Sequence, residues 1–314
     1  MTEHHIPELI RDDLAQVDAL IRQHIESQPV VARALEAHIG PRRGQPILAA
    51  LTLLAARLGQ PQGDHALHAA ATIELLRLVQ QVHMAMLDGA ARRRGTLHEQ
   101  PRWDGGLPLM MGDFLLALAA TEMAQSPDPQ IIEFFSQSVM ATSEAELAPV
   151  MAAAPADVAV AQYMDLIERR TASLFEAAAK SGAVCGGLGP QEVGLAGRFG
   201  RELGLAYQVA QDVADVAGGA GAALRAGVIT LPLIYAVDAG ADAALLDLLD
   251  TQQPSAEQIA WGLAEQARTG GTARAAQDAA QALGRATALL GQLPGGSARQ
   301  ALLAMAEPLG RAGS

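Results

Sequence analysis

The apolar residues of this chain recur at helical spacing, and that period decides its fold class. From Glu74 to Asp88 the set Leu75, Leu78, Val79, Val82 and Met86 steps by three and four residues, along one helix face. After Pro7 the same period runs through Leu9, Ile10, Leu14, Val17, Leu20 and Ile21. Half of the 314 residues are apolar, yet only 3% are aromatic. Alanine and leucine, both strong helix formers, supply most of that share. β-Branched runs bounded by turns are scarce. The expectation is an all-α fold in a single domain over 1–314, since no linker divides the chain. The pattern predicts helices over 7–27, 47–58, 66–88, 112–125, 130–142, 157–180, 191–217, 238–250, 255–268, 271–291 and 297–308.

Charge narrows the partners. A formal net charge of −12 argues against a general nucleic-acid or anionic-membrane surface. Cys185 is the single cysteine, which excludes an internal disulfide and fits a reducing cytosol, so the expected location is cytoplasmic. Glu3, His4 and His5 precede an amphipathic pattern, with no apolar signal core. The apolar run from Ile47 to Leu58 is too short to span a bilayer and reads as a core helix.

Three stretches gather groups suited to a polyanion. The helix ending at Asp88 is followed by Arg92, Arg93 and Arg94, so a carboxylate lies close in sequence to three guanidiniums. Trp103, Gly105 and Gly106 then break the chain before a helix expected to open near Gly112 and Asp113. The loop from His38 to Pro46 places Arg42 and Arg43 ahead of a helix start, where exposed amides favour anions. Farther on, Asp212 and Asp215 stand three apart and share a helix face. Taken alone, such a pair is more often a solvated surface.

In this order the stretches resemble the trans-isoprenyl diphosphate synthases, the polyprenyl synthetase family, over roughly residues 38–236. The family ends its helix in His-Asp-Asp-x-x-Asp, then has Arg-Arg-Gly and Gly-Asp-Tyr/Phe-Leu-Leu. This chain has His83-Met84-Ala85-Met86-Leu87-Asp88, then Arg93-Arg94-Gly95 and Gly112-Asp113-Phe114-Leu115-Leu116. Its loop resembles Gly-Gly-Lys-x-x-Arg-Pro, with Arg42 at the Lys place, Gln45 at the Arg place and Arg43 between them. Arg77 stands at the His of Glu-Leu-Ile-His. Tyr163 and the run Arg170-Thr171-Ala172-Ser173-Leu174-Phe175 resemble Tyr…Lys-Thr-Ala-x-Leu-Phe. Gln208-Val209-Ala210-Gln211-Asp212-Val213-Ala214-Asp215 resembles the second aspartate motif, and Arg225 to Leu233 resembles Gly-Lys-x-Thr-Leu-Pro.

The resemblance implies an isoprenoid synthase-type helical bundle around a central cavity. It implies diphosphate contacts at Arg42, Arg43, Arg77, Arg93, Arg94, Arg170 and Gln208, and a tunnel wall at Val79 and Gln80. In the family, six aspartates hold three Mg²⁺ ions, which assist ionisation of an allylic diphosphate before isopentenyl diphosphate attacks. Here Asp88, Asp212 and Asp215 remain, while Met84, Ala85 and Gln211 stand at the other places. The acids are depleted and the cations largely kept, so Mg²⁺ occupancy is expected to be reduced or absent. The implied protein binds prenyl diphosphates with weak or no chain elongation of its own. It acts as a partner subunit, in a homodimer or in a heterodimer with an intact homologue. Two alternatives are an active atypical prenyltransferase or family-derived terpene synthase, and a non-enzymatic carrier or sensor.

Overall fold

The computed structural model describes residues 7–26, 28–29, 32–33, 45–91, 106–126, 128–147, 150, 152–251 and 253–310, with 84–91 and 106–108 as backbone alone. The described residues are helical and hold no strand, as the period predicts. A short turn of helix at Glu8–Ile10 enters α1 (Arg11–Glu26), followed by α2 (Ile47–Ala56), α3 (His65–Ala91), α4 (Gly106–Met123) and α5 (Pro129–Leu147). Next, α6 (Ala156–Ile167) passes through a π turn, Glu168–Ala172, into α7 (Ser173–Cys185). The long α8 (Pro190–Ala217) precedes α9 (Ala222–Ala226), α10 (Leu231–Asp238), α11 (Ala244–Asp250), α12 (Ala256–Arg268), α13 (Gly271–Leu290) and α14 (Ser297–Leu309). Among the described residues no helix is long and apolar enough to cross a membrane.

Several expected boundaries move, each for a physical reason. The helix expected over 157–180 runs on to Cys185, and the π turn interrupts it. Helix α4 opens at Gly106 rather than near Gly112. Pro108 is tolerated there because the first turn of a helix leaves its amides unbonded anyway. Gly112 lies inside that helix because the His83 ring fills the place of its side chain; a Cβ would sit 2.1 Å from Nε2. The helix expected over 238–250 is the shorter α11, Ala244–Asp250, and a helix that was not expected, α10, precedes it. Pro232 opens α10 in its first turn, and Gly240, at φ 81°, follows its end.

Two apolar clusters share α8 as a wall. One gathers Leu51, Ile73, Leu75, Leu115, Phe135 and Phe199, largely from α2 to α5. The other gathers Tyr163, Ile167, Val209, Val213, Leu231 and Ile234 from α6, α8 and α10. Removing this apolar surface from water is the main favourable term in folding. Small residues then let helices approach closely. A Cβ on Gly200 would meet the Phe175 carbonyl oxygen at 2.3 Å, and one on Gly204 would meet the Ala172 Cα at 2.7 Å. So the π turn and α7 lie directly on α8, which brings Arg170 and Thr171 to Gln208 and Asp212.

Candidate functional site

The site is built where α6, the π turn and α8 meet. Asp212 accepts from the Tyr163 hydroxyl at 2.6 Å through Oδ2 and from Gln208 Nε2 at 2.9 Å through Oδ1. The Thr171 hydroxyl donates to Gln208 Oε1 at 2.9 Å. One chain of hydrogen bonds therefore ties four residues from three elements. Burial pushes the Asp212 carboxyl up to about 6, against the opposing bonds from Tyr163 and Gln208 and the Arg170 charge. Burial, and then the Asp212 charge, push the Tyr163 phenol well above its usual range, so it remains a donor.

Asp215, one turn on, does different work. Its Oδ1 accepts from the Ala222 amide at 2.8 Å and its Oδ2 from the Ala223 amide at 3.0 Å. These are first-turn amides of α9, which have no partner within their own helix. The chain reverses to reach them through Gly219 and Gly221, at φ 73° and 59°. Gln211, at the first aspartate place of that motif, is exposed.

The two described arginines of the expected set also differ. Arg77 donates from Nε at 2.9 Å and from Nη2 at 2.5 Å to Glu74 Oε1, and both side chains are buried or nearly so. Among the described residues the other Glu74 oxygen, Oε2, is buried without a hydrogen-bond partner. Arg170 is half-buried beside Asp212 and Tyr163 and lowers the proton affinity of both. Among the described residues no carboxylate lies within ion-pair distance of its guanidinium. Its neighbours are paired: Arg169 with Asp165 at 2.8 Å, and Arg201 with Glu168 at 2.5 Å. Arg42, Arg43, Arg93 and Arg94 lie outside the described residues. So does the side chain of Asp88, whose backbone is in α3.

A cavity of about 120 Å³ opens between α3, α5 and α7, with Val79 and Gln80 both in its wall. Leu76, Val139 and Leu174 make it mainly apolar. Gln80 Nε2 donates to the Arg170 carbonyl at 2.9 Å. His83 and Thr142 also line it, and their Nε2 and Oγ1 are buried without partners among the described residues. A mainly apolar wall with a few polar atoms suits an apolar ligand held at defined points. Sequence reasoning gave no role to Tyr163, Thr171, His83 or Thr142. For Tyr163 a signal was present: it precedes Arg170 by seven residues, two helical turns on one face.

The acids among the described residues do not form a cage for three metal ions. Among the described residues no group of three or more His, Cys, Asp or Glu side chains is arranged to hold a metal. Asp212 and Asp215 each have both oxygens engaged by protein donors, which leaves each oxygen one lone pair. Two such carboxylates supply too few hard oxygen ligands for a trinuclear site.

The geometry has known counterparts. The polyprenyl synthetase family model matches residues 28–265. Octaprenyl diphosphate synthase of Escherichia coli (strain K12) is 29% identical over 247 residues, 76% of each chain. Heptaprenyl diphosphate synthase component 2 of Geobacillus stearothermophilus is 28% identical over 237 residues, 73% of each chain. A solved polyprenyl synthase from Caulobacter crescentus CB15, complexed with calcium and isoprenyl diphosphate, superposes with a TM-score of 0.85 at 27% identity. That superposition covers 97% of this chain and 96% of the other.

Proposed function

The chain belongs to the polyprenyl synthetase family, and from that premise we propose that it binds a prenyl diphosphate, elongates it weakly or not at all alone, and serves as a partner subunit of a prenyltransferase. The observation that carries this reading is an imbalance around Asp212. Arg170 is a half-buried cation without an ion-pair partner among the described residues, while Asp212 and Asp215 are held by protein donors. A buried cation without a counter-charge is costly, and a bound diphosphate supplies one. Met84, Ala85 and Gln211, in place of aspartates, remove further oxygen ligands. Mg²⁺ therefore binds with reduced occupancy, and the departing phosphate lacks the neutralisation that metals give.

In this reading Arg170 and Gln208 face the diphosphate and Val79 and Gln80 flank its apolar chain. Arg42, Arg43, Arg93 and Arg94 add positive charge, and Asp88 joins Asp212 and Asp215 as residual metal ligands. The chain works in the cytoplasm as one domain. Its partner is a second copy or a homologue with both aspartate motifs intact. Support for an interface comes from α4 and α5, which leave Leu109, Met110, Ile132 and Met140 exposed. The Geobacillus relative, named component 2, points the same way.

The test incubates the purified chain with Mg²⁺, isopentenyl diphosphate and each allylic diphosphate, alone and with an intact homologue. Binding with little turnover, and a changed rate or product length in the mixture, is the expected result. Brisk elongation by the chain alone overturns it in favour of an active atypical prenyltransferase. Hydrocarbon or alcohol from the allylic substrate alone identifies a terpene synthase. Binding with neither turnover nor any effect on the homologue identifies a carrier or sensor.

A further inference from the structure

The π turn that carries Arg170 is held from two sides. On one side, the Thr171 hydroxyl is tied to Gln208 and through it to Asp212. On the other, Gln80 reaches across the cavity wall from α3, 90 residues earlier, and donates to the Arg170 carbonyl at 2.9 Å. π turns are rare and short, and their hydrogen bonding departs from the regular helical ladder. A side chain that bonds such a turn from outside its own helix fixes where the turn sits.

Gln80 stands in a cavity wall that mixes apolar side chains with His83, Thr142, Ser143 and Glu146. Leu76 and Val79 on the same helix face are apolar, as are Val139 and Leu174 opposite. An amide in such a wall is costly unless its hydrogen bonds are made. Gln80 makes one, to the backbone atom of the residue whose charge lacks an ion-pair partner.

We infer that Gln80 is a positioning residue: its amide holds the π turn so that the Arg170 guanidinium points at the anion site beside Asp212. This rests on the reading that Arg170 binds a diphosphate. Gln80 itself touches the backbone rather than the anion.

The test is a double-substitution cycle on the full chain, with inorganic pyrophosphate as the titrated ligand and calorimetry as the readout. Gln80→Leu keeps the volume and removes the donor. It is expected to weaken pyrophosphate binding about fivefold in the wild-type background and to have no effect in Arg170→Ala. Gln80→Glu, which faces the carbonyl with acceptors, is expected to weaken binding at least as much. A merely structural role lowers thermal stability equally in both backgrounds and leaves pyrophosphate binding unchanged. Should Gln80→Leu not fold, Gln80→Met, unbranched and of matching length, carries the same cycle. If Arg170→Ala weakens binding while Gln80→Leu does not, the positioning role is wrong and the diphosphate reading stands. If Arg170→Ala itself leaves pyrophosphate affinity unchanged, both fall. Equal losses from Gln80→Leu in the two backgrounds also overturn the positioning role.

Discussion

Arg77 on α3 and Arg170 in the π turn match the same family equally well, and the fold uses them differently. Arg77 closes on the buried carboxylate of Glu74 one turn away. Arg170 meets no carboxylate among the described residues and faces the Asp212 network instead. A matching residue type marks where a cation stands; burial and partners decide whether its charge is committed. The carboxylates of α8 repeat the lesson. Asp212 is drawn into a buried network, and Asp215 holds the first turn of α9.

Four substitutions sharpen or break this contrast. The largest effect is expected for Arg77→Ala, which leaves Glu74 buried without its partner. Removing one member of a buried pair costs about 3–5 kcal/mol, read as a lower denaturation midpoint. Replacing both residues, Glu74→Leu with Arg77→Leu, restores most of that loss if the pair matters chiefly for stability. A mild Arg77→Ala phenotype would falsify the view that its charge is committed. Next, Arg170→Ala is expected to weaken pyrophosphate binding about tenfold, the scale of one lost charge-assisted contact, while the melting temperature hardly moves. A large stability loss there would instead place Arg170 with Arg77.

Asp215→Ala removes the acceptor for two helix-start amides and is expected to cost about 1 kcal/mol, the usual scale of a lost cap. Hydrogen exchange at Ala222 and Ala223 should rise with it, and unchanged exchange there would exclude the capping role. The smallest effect is pH-dependent. The folded Asp212 carboxyl titrates at about 6 against an ordinary 3.8, so the native state holds that proton more tightly than the unfolded chain. Its stabilising contribution is complete below 3.8 and is lost as pH rises through about 6. Asp212→Asn should therefore melt a few degrees higher than wild type above pH 6, with the gap closing toward pH 4. A gap that widens on acidification contradicts the burial argument.

Much of the fold was legible because the cues are local. Leu75, Leu78, Val79 and Val82 announce α3 by spacing alone. The errors fell where tertiary contact overrides a local rule. Gly106 reads as a break and Gly112 as a helix start, yet both lie in α4, where the His83 ring fills the place of a Gly112 side chain. The site was less legible. Glu74 and Arg77 stand three apart, itself a sequence signal for a pair, but spacing does not say that the pair is buried. Nothing local marks Gln80 as a donor to Arg170 or Tyr163 as a donor to Asp212, because those partners are 90 and 49 residues away.

By itself the sequence determined the helical class, the order of the elements, and which motif places hold an acid, a cation or neither. Those are properties of residue identity and of the 3.6-residue period, and they survive without any partner. Only the tertiary structure decided which charges are committed. It set the π turn on α8 through the close approach at Gly200 and Gly204 and joined Gln80 to Arg170. It also lifted the Asp212 carboxyl to about 6. Burial and hydrogen bonding across distant segments fix these outcomes, and neither exists until the helices pack.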